Sequence, residues 1–538
     1  MNDFIKANTY DPRLTNTYTE NGALSYLTFG SEIMNQFGKA GSYRGRDITD
    51  VWNDQSQLWA QDAKMGLMFP FYLRLITRNV DGIESEKVQR GQGARDESFK
   101  RFLFIAKYHP TEFYENLWLI PIFGSWKDLW ELMAMDYDDD YLDTWKFFEV
   151  INSGLNSTST CELVKKYMPQ IRSTKKCVTD RAVALNQLAK EFAYYNGLTA
   201  KEYREVKSTG KAHKFQQLIC GQRYDEINWS HIPGKALLNL ANGKFLSNHG
   251  LTDSYIKWLD NQPTVKFNGY PFELGRKLKY ETSRASIMTI DRQFASLIET
   301  GKKDGGSING NVLCALDTSG SMSSAIDDYG TTSYDVCVSL GIYFSELNTG
   351  EFHNVVAMFD DTSSLLTLNG TFSEKLRQIH NARTAWGSTN FQSLIDLIVK
   401  TRRTRPDIAI EDFPQTLLVV SDMQFNPTNH SWGRLCTNDE IETNYEMAMR
   451  KLKEVFPEEF VDNFKIIWWQ CANRRTDDFP SNMECGGTYV VSGFDGAVVS
   501  FILGGEDNEQ NIKVRQTKTM EDIINEVFSQ DIFKYIKF

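Results

Sequence analysis

Apolar positions recur in two different rhythms along the 538 residues of the chain. In the first three hundred residues the rhythm is helical, because residues three and four apart share one face of a helix. Ala23, Leu27, Ile33, Met34 and Phe37 predict one helix, Leu58 to Ile76 a long buried one, Phe99 to Tyr108 another and Val183 to Tyr195 another. Pro110, Pro121, Gly124, Pro169 and Pro233 punctuate them. No clean repeat period is visible, although stacked helix pairs of divergent sequence fit the spacing. Beyond that region the apolar runs become short and unbroken: Val312 to Leu316, Val355 to Phe359, Leu417 to Ser421, Phe464 to Trp469, Thr488 to Val491, with a further candidate at Val498 to Leu503. Between them lie helical patterns around 336–347, 391–402, 444–455 and 519–528. Strands apolar at every position are buried on both faces, and their alternation with helices predicts a parallel, doubly wound sheet. The expected fold is therefore multidomain: an α-helical repeat domain over 1–305 and an α/β domain over 306–538.

Candidate chemistry sits where the apolar runs stop. Asp317 follows the first strand, and Ser319 and Ser321 follow it at alternate positions; Gly320 is expected to permit the sharp turn that makes the three converge. The loop Gly387-Ser388-Thr389-Asn390 offers a third hydroxyl in Thr389, and Asp422 ends another apolar strand as Asp317 ends the first. Ligands of a doubly wound sheet bind outside the carboxyl ends of its strands, which is where all five residues lie. An oxygen-only donor set suits a hard cation, Mg2+ before Mn2+ or Ca2+, better than zinc or copper. On the bland alternative the hydroxyls cap the following helix and the two carboxylates are solvated turn residues. Asp327 with Asp328, and Asp138 to Asp140, lack a convergent nucleophile or base and read as solvated surface. No catalytic residue is expected.

Composition narrows the class. A hydrophobic fraction of 41% excludes a disordered chain, and no apolar run approaches the ~18 residues of a membrane span. A soluble, intracellular, cytoplasmic protein is expected. Eight scattered cysteines without metal spacing read as reduced thiols, and neither H-E-x-x-H nor a P-loop occurs. Gly91-Gln92-Gly93 has no preceding strand and reads as a surface turn. The formal net charge is −11, yet residues 151–300 hold 22 Lys and Arg against 13 Asp and Glu. Lys165, Lys166, Arg172, Lys175, Lys176, Lys201, Arg204, Lys207, Lys211 and Lys214 lie there, interleaved with Tyr203, His213, Tyr224 and Trp229. Cations track phosphates and aromatic rings stack on unpaired bases, so this is a composition that single-stranded RNA recognition uses. Solvated helix faces with the aromatics in their own core explain the same composition.

Asp317, Ser319, Ser321, Thr389 and Asp422 resemble the metal-ion-dependent adhesion site of von Willebrand factor A domains, written D-x-S-x-S, then T, then D. One departure is Ser323 to Ser333, inserted before the next helical pattern, which would shield the site or add a carboxylate to it. Over most of its length the chain resembles Ro-like proteins of the TROVE class, in which a ring of HEAT-like helical repeats is closed by one such A domain. The residues carrying this likeness are Thr19-Glu-Asn-Gly22-Ala23, Ile120-Pro121-Ile-Phe-Gly124-Ser-Trp126-Lys-Asp128-Leu129, Tyr203-Arg204 and Leu316 to Met322. The resemblance implies a non-enzymatic RNA-binding protein of a ribonucleoprotein, engaging small structured or misfolded RNAs and their single-stranded ends, with magnesium in the A domain. An A domain also implies an alternative: a scaffold whose protein partner completes the metal's coordination with an acidic side chain, with no RNA involved.

Overall fold

A computed structural model describes residues 16–76, 88, 90–210, 214–279, 283–303, 308, 310–327, 330–382, 387–428, 442–473, 478–496, 502–503 and 518–538. By its internal contacts the chain divides into two units. One comprises residues up to Arg44 together with Pro233–Val527, and the other Gly45–Ile232 with Phe528–Phe538. The 305/306 boundary expected from the sequence falls inside the first of these.

The first unit is built on a six-stranded mixed sheet. Its strands, numbered after the two short ones described below, are β3 (Val312–Asp317), β4 (Val355–Phe359), β5 (Ser363–Thr367), β6 (Thr416–Ser421), β7 (Lys465–Gln470) and β8 (Thr488–Ser492), in the spatial order β5-β4-β3-β6-β7-β8. Five strands run parallel, and β5 is an antiparallel edge paired to β4. β3 and β6 are buried at every position, the expected consequence of helices on both faces. Helix Ser333–Leu347 packs on β3, opened by a capping box in which Thr332 and Asp335 exchange bonds. The order reverses between β3 and β6, so the carboxyl ends of those two strands flank the crevice where such sheets take ligands.

Several expectations change. The helix predicted from Ala23 to Phe37 is a hairpin of β1 (Asn16–Tyr18) and β2 (Leu24–Tyr26) followed by helix Glu32–Lys39. Both parts pack on strands or strand-like backbone: Tyr26 pairs with Phe479, and the helix packs on β8. The long helix through Leu58 to Ile76 is two, Ile48–Gln61 and Ala63–Arg74. Asp62 breaks it with an extended backbone and caps the second helix by accepting from the Met65 N–H at 2.9 Å. The sheet is mixed rather than purely parallel. Of the last strand candidate, residues 498–501 lie outside the described residues, and 502–503 are helical.

The second unit is helical. Its core gathers Phe71, Phe102 and Phe123, with Phe102 and Phe123 each within 5 Å of the Phe71 ring centre. Gly91-Gln92-Gly93 is not a surface turn: the Gly91 N–H donates to Leu75 O at 3.0 Å, and buried Gln92 donates to the Tyr72 hydroxyl at 2.9 Å. The chain's last residues close this core. Phe533 lies 5.3 Å from Phe123, and Asn116 exchanges two hydrogen bonds with the backbone of Lys537. No described helix is long and apolar enough to cross a membrane.

Candidate metal centre

Three loops meet at the carboxyl ends of β3 and β6. The first leaves β3 through Asp317 and turns in a 3-10 stretch, Gly320–Ser323. The Ser319 N–H donates to Asp317 Oδ1 at 2.9 Å, and the Ser319 and Ser321 hydroxyls lie 3.2 Å apart. Gly320 does not adopt a positive φ; the left-handed residue of the site is Met423, at φ 63°. A non-glycine residue there stores strain of the order of 1 kcal/mol or more, a feature that clusters at functional sites. The second loop is tied to the first by the Gly320 N–H, which donates to Gly387 O at 3.0 Å. The third follows Asp422. Its Asn426 N–H donates to Thr389 O at 2.9 Å, and the Asn426 side chain donates to the Ser388 hydroxyl at 2.7 Å. Ser421 spans back to the first loop, its hydroxyl donating to Asp317 Oδ2 at 2.5 Å.

Asp317, Ser319, Thr389 and Asp422 are almost wholly buried, and Ser321 is half-buried at the rim. Burial pushes the Asp317 carboxyl up, and the negative charge of neighbouring Asp422 pushes it further. Two carboxylates sharing a dry site repel one another unless a cation or a proton lies between them. The donors around them are carboxylate and hydroxyl oxygens only, which fits Mg2+ or another hard divalent cation. Two buried thiols lie close by. Cys337 donates to Asp317 O at 3.6 Å and Val420 O at 3.2 Å, and the thiol of Cys471 is held well up by burial, then by Cys337 and both carboxylates. Cys471 is therefore not poised as a thiolate ligand. Among the described residues no cluster of three or more His, Cys, Asp or Glu forms, and this site has two carboxylates, with hydroxyls as its other candidate donors.

The inserted segment folds into a small hairpin, in which Ala325 pairs with Thr332 and Ile326 N–H donates to Thr331 O at 2.8 Å. The Asp327 carboxylate accepts from the Thr331 N–H at 2.9 Å and the Thr331 hydroxyl at 2.6 Å, and faces Arg276 at 3.4 Å. It is committed to the hairpin; Asp328 lies outside the described residues.

The candidate RNA-contacting residues belong to the helical unit. Arg172, Lys175, Lys176, Lys201 and Arg204 are exposed, and Lys165 and Lys166 are half-buried. Lys207 is turned inward, donating to Met168 O and Lys166 O, and its burial lowers its pKa. Lys211 and the side chain of Lys214 lie outside the described residues, as does His213. Tyr203 is wholly buried with its hydroxyl on Pro169 O at 2.7 Å, and Trp229 is buried too, so neither ring is a stacking platform.

Sequence reasoning missed Ser421, Gln424 and the Thr19–Gly22 turn, which packs on the loop after Asp422. Ser421 had a signal, since it sits one residue before a proposed ligand at a strand end. The turn carries part of the family likeness, but nothing in the sequence ties it to the site, because its partner is some four hundred residues away.

Comparison with known proteins gives a match of residues 311–534 to the model of a domain of unknown function, DUF7788. An uncharacterized protein of Acanthamoeba polyphaga mimivirus, L728, is 23% identical over 540 aligned positions, covering 91% of this chain and 85% of that protein. Among solved structures, the Deinococcus radiodurans RO (RSR) protein aligns with TM-score 0.35 and 14% identity, covering 87% of this chain and 97% of that one.

Proposed function

We propose that the chain is a non-enzymatic, Ro-like RNA-binding protein whose α/β unit is of the von Willebrand factor A type and holds a divalent cation, Mg2+ before Mn2+ or Ca2+. What supports the cation reading is that the loops carrying Asp317, Ser319, Ser321, Thr389 and Asp422 are bonded to one another and that the buried Asp317 and Asp422 carboxylates are close enough to repel. Bound there, the cation would offer a coordination position to an anionic group arriving past half-buried Ser321. Asp317 and Asp422 would carry its charge, Ser421 would fix the Asp317 carboxylate by its 2.5 Å bond, and the Gly320–Gly387 and Thr389–Asn426 bonds would keep the hydroxyls in register. With both carboxylates, Asp317 and Asp422, assigned to the cation, water activation is not part of this reading.

The RNA reading rests on the resemblance and on the exposed cations Arg172, Lys175, Lys176, Lys201 and Arg204. Tyr203 and Trp229 are buried, so this segment would meet phosphates through its cations and a base through rings such as half-buried Tyr224 or exposed Tyr194. Anisotropy titrations of a labelled 20-nucleotide single strand test it. Changing Lys175, Lys176 and Arg204 together to Glu should weaken binding and lower the log–log salt slope by about 2, at ~0.7 per phosphate contact on a single strand. An unchanged affinity and slope would remove this segment from the interface. The second reading, a metal-completed protein contact, is favoured if the chain purifies free of nucleic acid and a partner is released by EDTA or by Asp317→Ala.

A further inference from the structure

The Thr19-Glu20-Asn21-Gly22 turn joins β1 to β2 at the beginning of the described chain, and nothing in its own surroundings accounts for its make-up. It is built tightly. Thr19 N–H donates to Ala23 O, Gly22 N–H to Thr19 O, both at 2.9 Å, and Gly22 takes a φ of 87° that favours glycine. Glu20, Asn21 and Gly22 are exposed, yet the turn is bonded along one side to the segment that follows Asp422. The Thr19 hydroxyl donates to Phe425 O at 2.7 Å while accepting from the Ala23 N–H at 3.0 Å. The Glu20 N–H donates to Gln424 Oε1 at 2.6 Å, and the Asn21 amide donates to Gln424 O at 2.5 Å. Gln424 and Phe425 are themselves buried, and the Gln424 N–H donates to Asp422 Oδ1 at 3.2 Å. A continuous set of hydrogen bonds thus runs from the turn, through one residue, to a carboxylate of the candidate cation site.

The loop needs such a support. Met423 between Asp422 and Gln424 sits in the left-handed region, a conformation that relaxes unless its surroundings hold it. On one side it is held by the Ser421 hydroxyl, which accepts from the Met423 N–H at 2.9 Å. On the other side it is held by the turn together with the Asn426 N–H on Thr389 O and the Phe425 ring against Phe391 and Trp468. Outer groups that orient a metal ligand typically change metal affinity by 10–100-fold when removed.

We propose that the Thr19–Gly22 turn is a positioning element of the cation site, fixing Asp422 through Gln424 and Phe425, so that the complete site draws on segments from far apart in the chain. This rests on the cation reading above. Thr19 and Asn21 are the positioning residues, and neither is a ligand.

The test is Mn2+ binding to the full chain, read by electron paramagnetic resonance of free Mn2+, for the unaltered protein, Thr19→Val, Thr19→Ser and Asn21→Ala. Thr19→Val keeps the shape and removes the hydroxyl, and should weaken Mn2+ binding by about 10–100-fold. Thr19→Ser restores the hydroxyl and should bind within about threefold of the unaltered protein. Ser492→Ala removes a bond to the same N-terminal segment away from Asp422, where the Gly41 N–H donates to Ser492 Oγ at 3.0 Å. It should leave Mn2+ affinity unchanged, which separates positioning from a general loosening. If Thr19→Val fails to fold, Asn21→Ala decides, because Asn21 is exposed and its loss removes one bond only. Tight Mn2+ binding by the unaltered protein and equally tight binding by folded Thr19→Val or Asn21→Ala overturns the positioning role alone. No Mn2+ binding by the unaltered protein overturns the cation reading and this inference with it.

Discussion

Asp128 in the Ile120–Leu129 stretch should respond to substitution as a buried structural ion pair, not as a binding residue. Its carboxylate is wholly buried and accepts from Arg74 Nε at 2.8 Å, from the second Arg74 nitrogen at 2.8 Å and from the Ser125 N–H at 2.9 Å; Arg95 stands 3.2 Å away. Arg74 is also buried. Asp128→Asn keeps the volume but turns an amide N–H₂ or a single carbonyl toward a guanidinium that had a full charge to meet. Removing one partner of such a pair costs about 3–5 kcal/mol, because the other stays in the dry interior without its counter-charge. The exposed contribution of Arg95 is different in kind: Arg95→Gln should cost at most about 1 kcal/mol. Hydrogen exchange of peptides covering 120–135 reads this region alone. Helix Trp126–Met135 in Asp128→Asn should exchange on the order of 10²–10³-fold faster than in the unaltered protein. Protection within a factor of about 5 would refute the argument.

Four other outcomes are expected. A Cβ at Gly124 would stand 2.0 Å from Asp128 Oδ2, so Gly124→Ala should lower the urea midpoint by the equivalent of at least about 2 kcal/mol; a midpoint equal to the parent's would contradict the packing. Burial raises the Asp136 carboxyl to about 6 against the pull of its bonds from the Leu142 and Tyr141 N–H groups. A raised carboxyl favours the folded state most below its unfolded value near 4, and that contribution is lost as pH rises through about 6. The stability of the parent relative to Asp136→Asn should therefore decline between pH 4.5 and 7, and parallel curves would exclude the effect. Adding Mg2+ at about 100 times its dissociation constant should stabilise the α/β unit by about 2.7 kcal/mol, an increment that EDTA and Asp317→Ala abolish; thermal scans that ignore both would leave the site without its cation. Removing residues 531–538 takes buried Ile532 and Phe533 from the helical core and should promote its unfolding, seen as lost protection around Phe123.

The parts legible in the sequence were those in which local pattern and tertiary demand agree. β3 and β6 are apolar at every position because both faces are covered, and the D-x-S-x-S loop follows directly, so fold and candidate site could be read from one stretch. β5 escaped notice because an edge strand is half wet: Ser363, Ser364 and Thr367 carry no run, and Leu365 is exposed. The break at Asp62 was hidden by an apolar rhythm that continues across it, with an N-cap in place of Pro or Gly. Tyr203 looked like a stacking ring beside cations because composition cannot say which way a helix turns; three of its neighbours, Lys201, Glu202 and Arg204, took the wet face and left it the core. The Gln424 contacts of the N-terminal turn are long-range hydrogen bonds to backbone and amide, and no residue pattern announces those.

That distance has a consequence for how the molecule is made. Thr19 and its acceptor on Phe425 are 406 residues apart, so at about 5–20 residues per second the turn leaves the ribosome some 20–80 s before the loop it grips exists. During that interval β1 and β2 form a bare two-stranded hairpin, which is marginal in water and presents unpaired edges. The helical unit waits in the opposite sense, for Phe533 and Lys537, which are translated after β8. Neither unit can therefore finish folding in the order in which it is translated, and the first unit closes only after the last strands of the sheet have been made.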